Sequence, residues 1–391
     1  MHEEQKEIIA KPKVRLKFID MARSFAILLM LEGHFIEHTF KDFKPMIALV
    51  KENGTSGYFI FDWWYFMKGF TAPLFFVVTG VVFVYLLARN KEAGFARNPR
   101  VRKGFKRSLE LLFWGYMLQL NILRITHTFD NEFPWLYAFH VLQSIGVGIM
   151  FLLLIFGLYK LINKGPLYLY YFLAGSIVFC FYPAIKSVGE GVYLPTNAPQ
   201  VFQNIIHGRW SIFPIVPWMA FTLYGGMVGA LIIRFQDHVK KYWFSLTFIG
   251  VGIMLNGFGR PIGLFLDDVL EMMNIDLSLV ENSWLYGRMG QVFIFLGVLM
   301  LIDRWVNFKG ELFLKIGQNT LPIYIIHVVI LYGGIFGIGL NQYMKHTLSG
   351  TEAVLGAAIF IAFFVIFIKY YEFFDGIKQK ITGVFKLKRR S

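Results

Sequence analysis

The stretch MARSFAILLMLEGHFIEH, residues 21–38, combines the apolar run of a membrane-spanning helix with five ionisable side chains. The surrounding run, 18–39, has the roughly 20 residues that a helix needs to cross a bilayer. Charged groups at such depth cost free energy and usually face the interior of a helix bundle or a wet cavity. The five are Arg23, Glu32, His34, Glu37 and His38. Their spacing therefore bears on both fold and function.

The composition of the whole chain is that of a membrane protein. Of its 391 residues, 56% are hydrophobic and 16% are charged, whereas soluble domains are about one quarter charged. The alternating pattern of a membrane β-barrel is absent. We therefore predict an all-α, polytopic helical bundle that forms a single domain over 1–391, with cytoplasmic basic tails at 1–16 and 376–391.

Long apolar runs recur along nearly the whole chain, and they predict about ten membrane-spanning helices, with a range of 10–11. The predicted spans are 18–39, 66–88, 108–126, 140–161, 167–184, 213–233, 243–258, 286–303, 317–338 and 352–373. The aromatic segment 58–67 predicts an interfacial element before the second span, because Trp and Tyr favour the headgroup level of the membrane.

The distribution of Lys and Arg predicts the orientation. With both termini inside, inner segments hold 27 of the 39 basic residues and outer segments hold 7, as the positive-inside rule requires. Most of the basic residues behind the net charge of +14 therefore lie in inner segments beside the lipid bilayer. For this reason we expect no nucleic acid partner. We expect a multi-pass protein of the bacterial inner membrane and leave a homodimer open.

Most of the ionisable groups in the first span lie on one helical stripe. Arg23 and His34 are eleven residues apart, which places them on one face about 16 Å apart along the axis. Asp20, Glu37 and His38 extend this stripe, whereas Glu32 points away from it. A stripe that crosses most of the membrane indicates a functional site, in which either His34 or His38 is the candidate base.

These residues carry a resemblance to a known group of proteins. Arg, ten residues and then His in the first span resembles the motif of the transmembrane acyltransferase superfamily, and RLKFIDMARSFAILLML resembles its opening. That superfamily includes the acyltransferase-3 family and the proteins similar to heparan-α-glucosaminide N-acetyltransferase, of the DUF1624 type. In animal members of the heparan branch an Asn fills the position of His34, and the working His lies further outward.

Four later segments are similar to motifs of the same superfamily and follow in the expected order between residues 15 and 335. They are PLFFVVTGVVFVYLL (73–87), FHVLQSIGVG (139–148), FPIVPWMAFTLYGGMVGAL (213–231) and GQNTLPIYIIH (317–327). The esterase-like domain that some acyltransferase-3 proteins carry has no counterpart here, so the resemblance leaves the acceptor undefined.

The resemblance implies a membrane acyltransferase that moves an acyl group, acetyl in the simplest case, from cytoplasmic acyl-CoA. The acceptor would be a sugar amine or hydroxyl of a glycan or glycolipid on the far side. Arg23 and the inner loop 89–107 would then hold the phosphates of the acyl-CoA co-substrate. The basic residues expected there are Arg23, Arg102, Lys103 and Lys106.

A His base suits this chemistry because its unperturbed pKa is about 6.5. Glu37 could orient the imidazole of His34 or His38. Direct transfer and an acyl-histidine intermediate both remain open. We expect no metal, since the sequence has no zinc motif.

Candidate acceptor-binding residues lie on the outer side and near the end of the matched region. They are His207, Arg209, Asn319 and His327. Arg288, inside the eighth span, needs a partner or a ligand that the sequence does not name. The alternative interpretation is a secondary transporter of a small polar or anionic solute. The charged groups of the protein would then bind that solute within the membrane.

Overall fold

The structure is a computed structural model. It describes residues 16–90, 94–120, 122, 138–187, 205–206, 211–275, 277–305 and 310–387. The predicted all-helical class is confirmed. The longer helices are α1 (Lys17–Thr39), α2 (Phe43–Asn53), α3 (Phe59–Ala88), α4 (Pro99–Gln119), α5 (Val141–Ile162), α6 (Leu167–Ser187), α7 (Ile215–Arg234), α8 (Tyr242–Glu271), α9 (Ser283–Trp305) and α13 (Gly350–Leu387). Between α9 and α13 lie α10 (Glu311–Gln318), α11 (Thr320–Tyr332) and α12 (Leu340–Met344).

A helix or a helix pair lies at each of the ten predicted spans, and this identifies a multi-pass membrane protein. Within the described residues, six helices are long and apolar enough to cross a bilayer by length and composition, and the pair α10–α11 gives a seventh if counted as one span. The six include α3, α5, α7 and α8. Helix α1 falls outside this group because of its charged residues.

Three predicted boundaries were wrong. Helix α3 begins at Phe59, so the aromatic segment 58–67 is largely part of the helix and does not precede it. Helix α8 continues through Pro261 to Glu271, so 259–271 is not a loop. The predicted span 317–338 is broken: α10 and α11 meet at a bend of 74°.

Helix α1 lies at the centre of the bundle, which explains how a helix with several charges is accommodated. One side packs into a large apolar cluster with α3, α5, α7 and α9, through Met21, Ala22 and Ala26. Another side packs into a second cluster with α11 and α13, through Leu31 and Phe35. The polar stripe therefore faces protein rather than lipid.

The bend between α10 and α11 is fixed against α1. The buried hydroxyl of Ser24 accepts a hydrogen bond from the Gly317 amide at 2.9 Å and lies within bonding distance of the Phe313 carbonyl. A Cβ at Gly317 would overlap the carbonyl of Asp20, so only glycine permits this approach. The contact places the first turn of α11 beside Arg23.

Candidate active site

The polar stripe of α1 faces a matching row of polar side chains on the broken helix. Four side chains of α1 contact this row. From the inner to the outer end of α1, their partners follow one another in chain order along α10 and α11. The pairs are Asp20 with Gln318, Arg23 with Thr320, His34 with His327, and His38 with Tyr332. Two helices almost 300 residues apart in sequence thus form a single polar seam inside the bundle.

The histidine pair lies in the outer half of this seam. Nδ1 of His34 and Nε2 of His327 are 3.1 Å apart, a hydrogen bond whose direction depends on the tautomer. The His327 side chain is fully buried, whereas His34 remains partly exposed. Since His34 uses Nδ1 in this bond, its Nε2 is the nitrogen left for a ligand.

The outer end of the seam joins α1 to α3 as well as to α11. Glu37 forms an ion pair with Lys68 at 2.9 Å, and both side chains are partly exposed. The rings of His38 and Tyr332 meet edge to face at 4.6 Å. Glu32, which points away from the stripe as expected, receives a hydrogen bond from the indole N–H of Trp64. At this end of the seam Glu37 is thus paired with a lysine of α3, and Glu32 is bonded to a tryptophan of the same helix.

A cavity of about 170 Å³ lies beside the inner half of the seam, between α1, α3, α4, α5 and α11. Its walls are mostly apolar, with Phe75, Val78 and Ile145 among the lining residues. Arg23, Arg107 and Thr320 line it together with Tyr324. The Tyr324 ring in turn packs edge to face on His327, with centroids 4.9 Å apart. The cavity thus connects two arginines to the immediate neighbourhood of the histidine pair.

The basic residues expected to hold a phosphate are arranged differently from the sequence-based expectation. Arg23 lies in the cavity wall with its guanidinium 3.4 Å from the Thr320 hydroxyl and 3.9 Å from the Asp20 carboxylate. Arg102, Lys103 and Lys106 are exposed on α4 and do not line the cavity.

Arg107, the next residue on α4, takes the position beside the cavity. It lines the wall and is paired with Glu110 at 2.9 Å. The helical repeat of α4 could have identified Arg107 from the sequence. Among the basic residues of this segment, it is the one that has a buried apolar residue, Leu111, one turn later on the same face. Thr320 and Tyr324 carried no such signal outside the GQNTLPIYIIH segment.

The remaining sequence-predicted residues have mixed outcomes. His207 and Arg209 lie outside the described residues. Asn319 occupies the break between α10 and α11, where its amide donates to the Lys315 carbonyl at 2.9 Å. Among the described residues, no three His, Cys, Asp or Glu side chains come together as a metal ion would require.

A helical membrane bundle with a histidine pair beside an arginine-lined cavity has the features of a membrane-embedded enzyme. A scan of protein families matches the chain over residues 16–371 to the acyltransferase-3 family, described as an acyltransferase domain. Because the match covers most of the sequence, the chain belongs to this family and is a membrane acyltransferase. No curated protein matches it.

Proposed function

We propose that this protein transfers an acyl group, acetyl in the simplest case, from cytoplasmic acyl-CoA to an acceptor on the opposite side of the membrane. The observation that carries the proposal is the cavity lined by Arg23 and Arg107, whose wall residue Tyr324 packs on His327 of the histidine pair. A donor with an anionic end and a reactive thioester end needs a cationic site and a proton acceptor close to each other, and here one tyrosine ring separates the cavity from the pair.

The inner end of the cavity has the chemistry of a phosphate site. Arg23 and Arg107 supply two guanidinium groups, whose planar donors suit phosphate oxygens. Thr320 is the first residue of α11, and the first amides of a helix lack partners within the helix and attract anions. The apolar walls beyond suit the uncharged arm of the donor, and the axial rise from Arg23 to His34 is about 16 Å.

The hydrogen bond between the histidines determines how His34 can act. For Nε2 of His34 to accept a proton, its Nδ1 must carry a hydrogen and donate it to Nε2 of His327. The proton of His327 then lies on Nδ1, which has no hydrogen-bond partner among the described residues. His34 therefore serves as the base and His327 as its positioning residue.

The reaction then follows from the position of His34 Nε2. As the acceptor oxygen or nitrogen attacks the thioester carbonyl, His34 takes the acceptor proton. The carbon–sulfur bond breaks, and the same imidazolium returns the proton to the departing thiolate. The products are the acylated acceptor and the free thiol. Attack by His34 itself would give an acyl-histidine, which mass spectrometry of acid-quenched protein would detect.

The acceptor is proposed to be a sugar amine or hydroxyl of a glycan or glycolipid, approaching from the outer side. This rests on the resemblance of two segments, FHVLQSIGVG (139–148) and FPIVPWMAFTLYGGMVGAL (213–231), to the heparan branch, and on the partly exposed polar groups at the outer end of the seam. His38, Glu37 and Lys68 lie there. A protein of this topology would act in the bacterial inner membrane.

The test uses the full chain purified in nanodiscs with acetyl-CoA and candidate amino sugars, with release of free thiol as the readout. His34→Ala should abolish most of the release while acetyl-CoA still binds. Glu32→Gln is the matched control, because Glu32 is an ionisable residue of the same helix that bonds to Trp64 instead of α11. Thiol release by His34→Ala at the wild-type rate would exclude His34 as the base.

The same preparation separates the proposal from transport. Failure of wild-type protein to bind acetyl-CoA or a longer acyl-CoA would exclude the donor. Accumulation of a polar solute inside proteoliposomes without thiol release would favour the secondary transporter.

A further inference from the structure

Arg288 lies within a predicted span and outside the seam described above. It is the sixth residue of α9, about 8 Å along the axis from the first. Its Nη1 donates to the carbonyl of Phe66 on α3 at 2.8 Å and to Oε1 of Gln291 at 3.0 Å. The guanidinium also lies 5.3 Å from the centre of the Phe66 ring. The side chain is thus held in a groove between α3 and α9.

These contacts leave the charge of Arg288 without a counterion. In the part of the chain that the structure describes, no carboxylate is paired with it, and both hydrogen bonds use the same nitrogen. A guanidinium has five N–H donors, so those on Nε and Nη2 remain available. An arginine at this depth costs free energy unless it reaches an anion or water. The free donors on Nε and Nη2 are therefore a candidate site for an anionic ligand.

The groove is shaped to keep the guanidinium in place. A Cβ at Gly69 would overlap Nη2 of Arg288, so the charged group lies directly against the α3 backbone where a side chain is absent. A cation fixed by two hydrogen bonds and a glycine gap is presented in one orientation. Lys68, the residue before Gly69, is different, because its ammonium is already paired with Glu37.

The surroundings of the groove indicate an amphiphilic ligand. Large apolar side chains at this end of α3 and α9 are exposed, including Trp63, Phe66 and Trp284, at 59%, 49% and 40%. Trp is enriched at the headgroup level of membranes, and long Arg side chains reach that level from within a span. By the positive-inside pattern this end of α9 faces the outer leaflet, where the available anions are lipid phosphates.

We propose that Arg288 binds the headgroup phosphate of an outer-leaflet phospholipid in the groove between α3 and α9. Nε and Nη2 donate to the phosphate oxygens, and the exposed aromatic side chains contact the glycerol and upper acyl region. This site is separate from the donor cavity and does not depend on the reaction proposed above.

The test is native mass spectrometry of the full-length protein in detergent, titrated with phosphatidylglycerol. Wild type should retain one more phosphatidylglycerol molecule than Arg288→Gln. Its affinity for that lipid should be about tenfold higher, the usual effect of a hydrogen bond to a charged group. A diacylglycerol glycoside, which has the same tails and no phosphate, should bind both proteins equally. Equal retention of phosphatidylglycerol by both proteins would overturn the proposal.

Two further variants guard against indirect effects. Lys345→Gln removes one positive charge from an exposed outer position and should retain lipid as wild type does. Gly69→Ala keeps the charge of Arg288 and displaces its guanidinium, so it should weaken retention of phosphatidylglycerol, whereas full retention would contradict the geometry. Displacement of the lipid by millimolar inorganic phosphate would assign the site to a soluble anion and also refute it.

Discussion

The inner and outer halves of the α1–α11 seam use similar secondary structure for different chemistry. At the inner end Arg23 and Thr320 lie at a cavity wall together with Arg107, so two guanidinium groups and a hydroxyl line the cavity. Further out, His34 and His327 are hydrogen-bond partners in the same seam. In the proposed mechanism this difference separates donor binding from proton transfer along one helix, so substitutions at the two ends should change different kinetic constants.

The largest effect is expected from the outer half. His34→Ala removes the proposed base and should lower kcat by about 10²–10⁴-fold, the usual contribution of general-base catalysis. The KM for acyl-CoA should change little because the phosphate site is untouched. Steady-state thiol release over a range of acyl-CoA concentrations measures both constants. A rise in KM at constant kcat would reverse the proposed division of roles.

A smaller loss is expected when the partner of His34 is changed. His327→Phe keeps the ring volume and removes the hydrogen bond, which should lower kcat by about 10–100-fold, as one hydrogen bond of roughly 1–3 kcal/mol implies. The double variant with His34→Ala should be no slower than His34→Ala alone, because the two residues act as a unit. Additive losses in the double variant would show that His327 acts independently.

The inner half should respond in KM. Arg107→Gln should raise the KM for acyl-CoA by about tenfold through loss of a charged hydrogen bond to phosphate, with little change in kcat. Lys103→Gln is the matched variant, exposed on the same helix one turn earlier, and should change KM by less than about twofold. Isothermal titration with desulfo-CoA gives the corresponding affinities. Equal effects of the two substitutions would favour a diffuse basic surface over a cavity site.

The smallest effect is expected at the far end of the seam. His38→Ala removes an edge-to-face contact with Tyr332 and leaves the hydrogen bond of His34 intact. The kcat should therefore fall by less than about fivefold, which is within what one aromatic pair contributes. The measurement is again thiol release at saturating acyl-CoA. A loss as large as that of His34→Ala would move the base one turn outward, the alternative that the sequence leaves open.

Much of the fold follows from local sequence. The positions of the helices could be predicted because hydropathy over 20 residues and the 100° helical repeat are properties of a single segment. The same repeat gave the stripe of Asp20, Arg23, His34 and His38, and all four side chains contact α10 or α11 in the structure. The resemblance of GQNTLPIYIIH to a superfamily motif also placed His327 among the candidates.

The sequence by itself thus determined a helical membrane protein with a polar stripe on its first helix. The tertiary structure decided what that stripe meets. The partner of His34 is 293 residues away, Arg107 lines the cavity where Arg102, Lys103 and Lys106 were expected, and a bend of 74° separates α10 from α11. None of these is encoded in one segment, because side-chain partners depend on how distant helices pack and on small contacts such as Gly317 against α1.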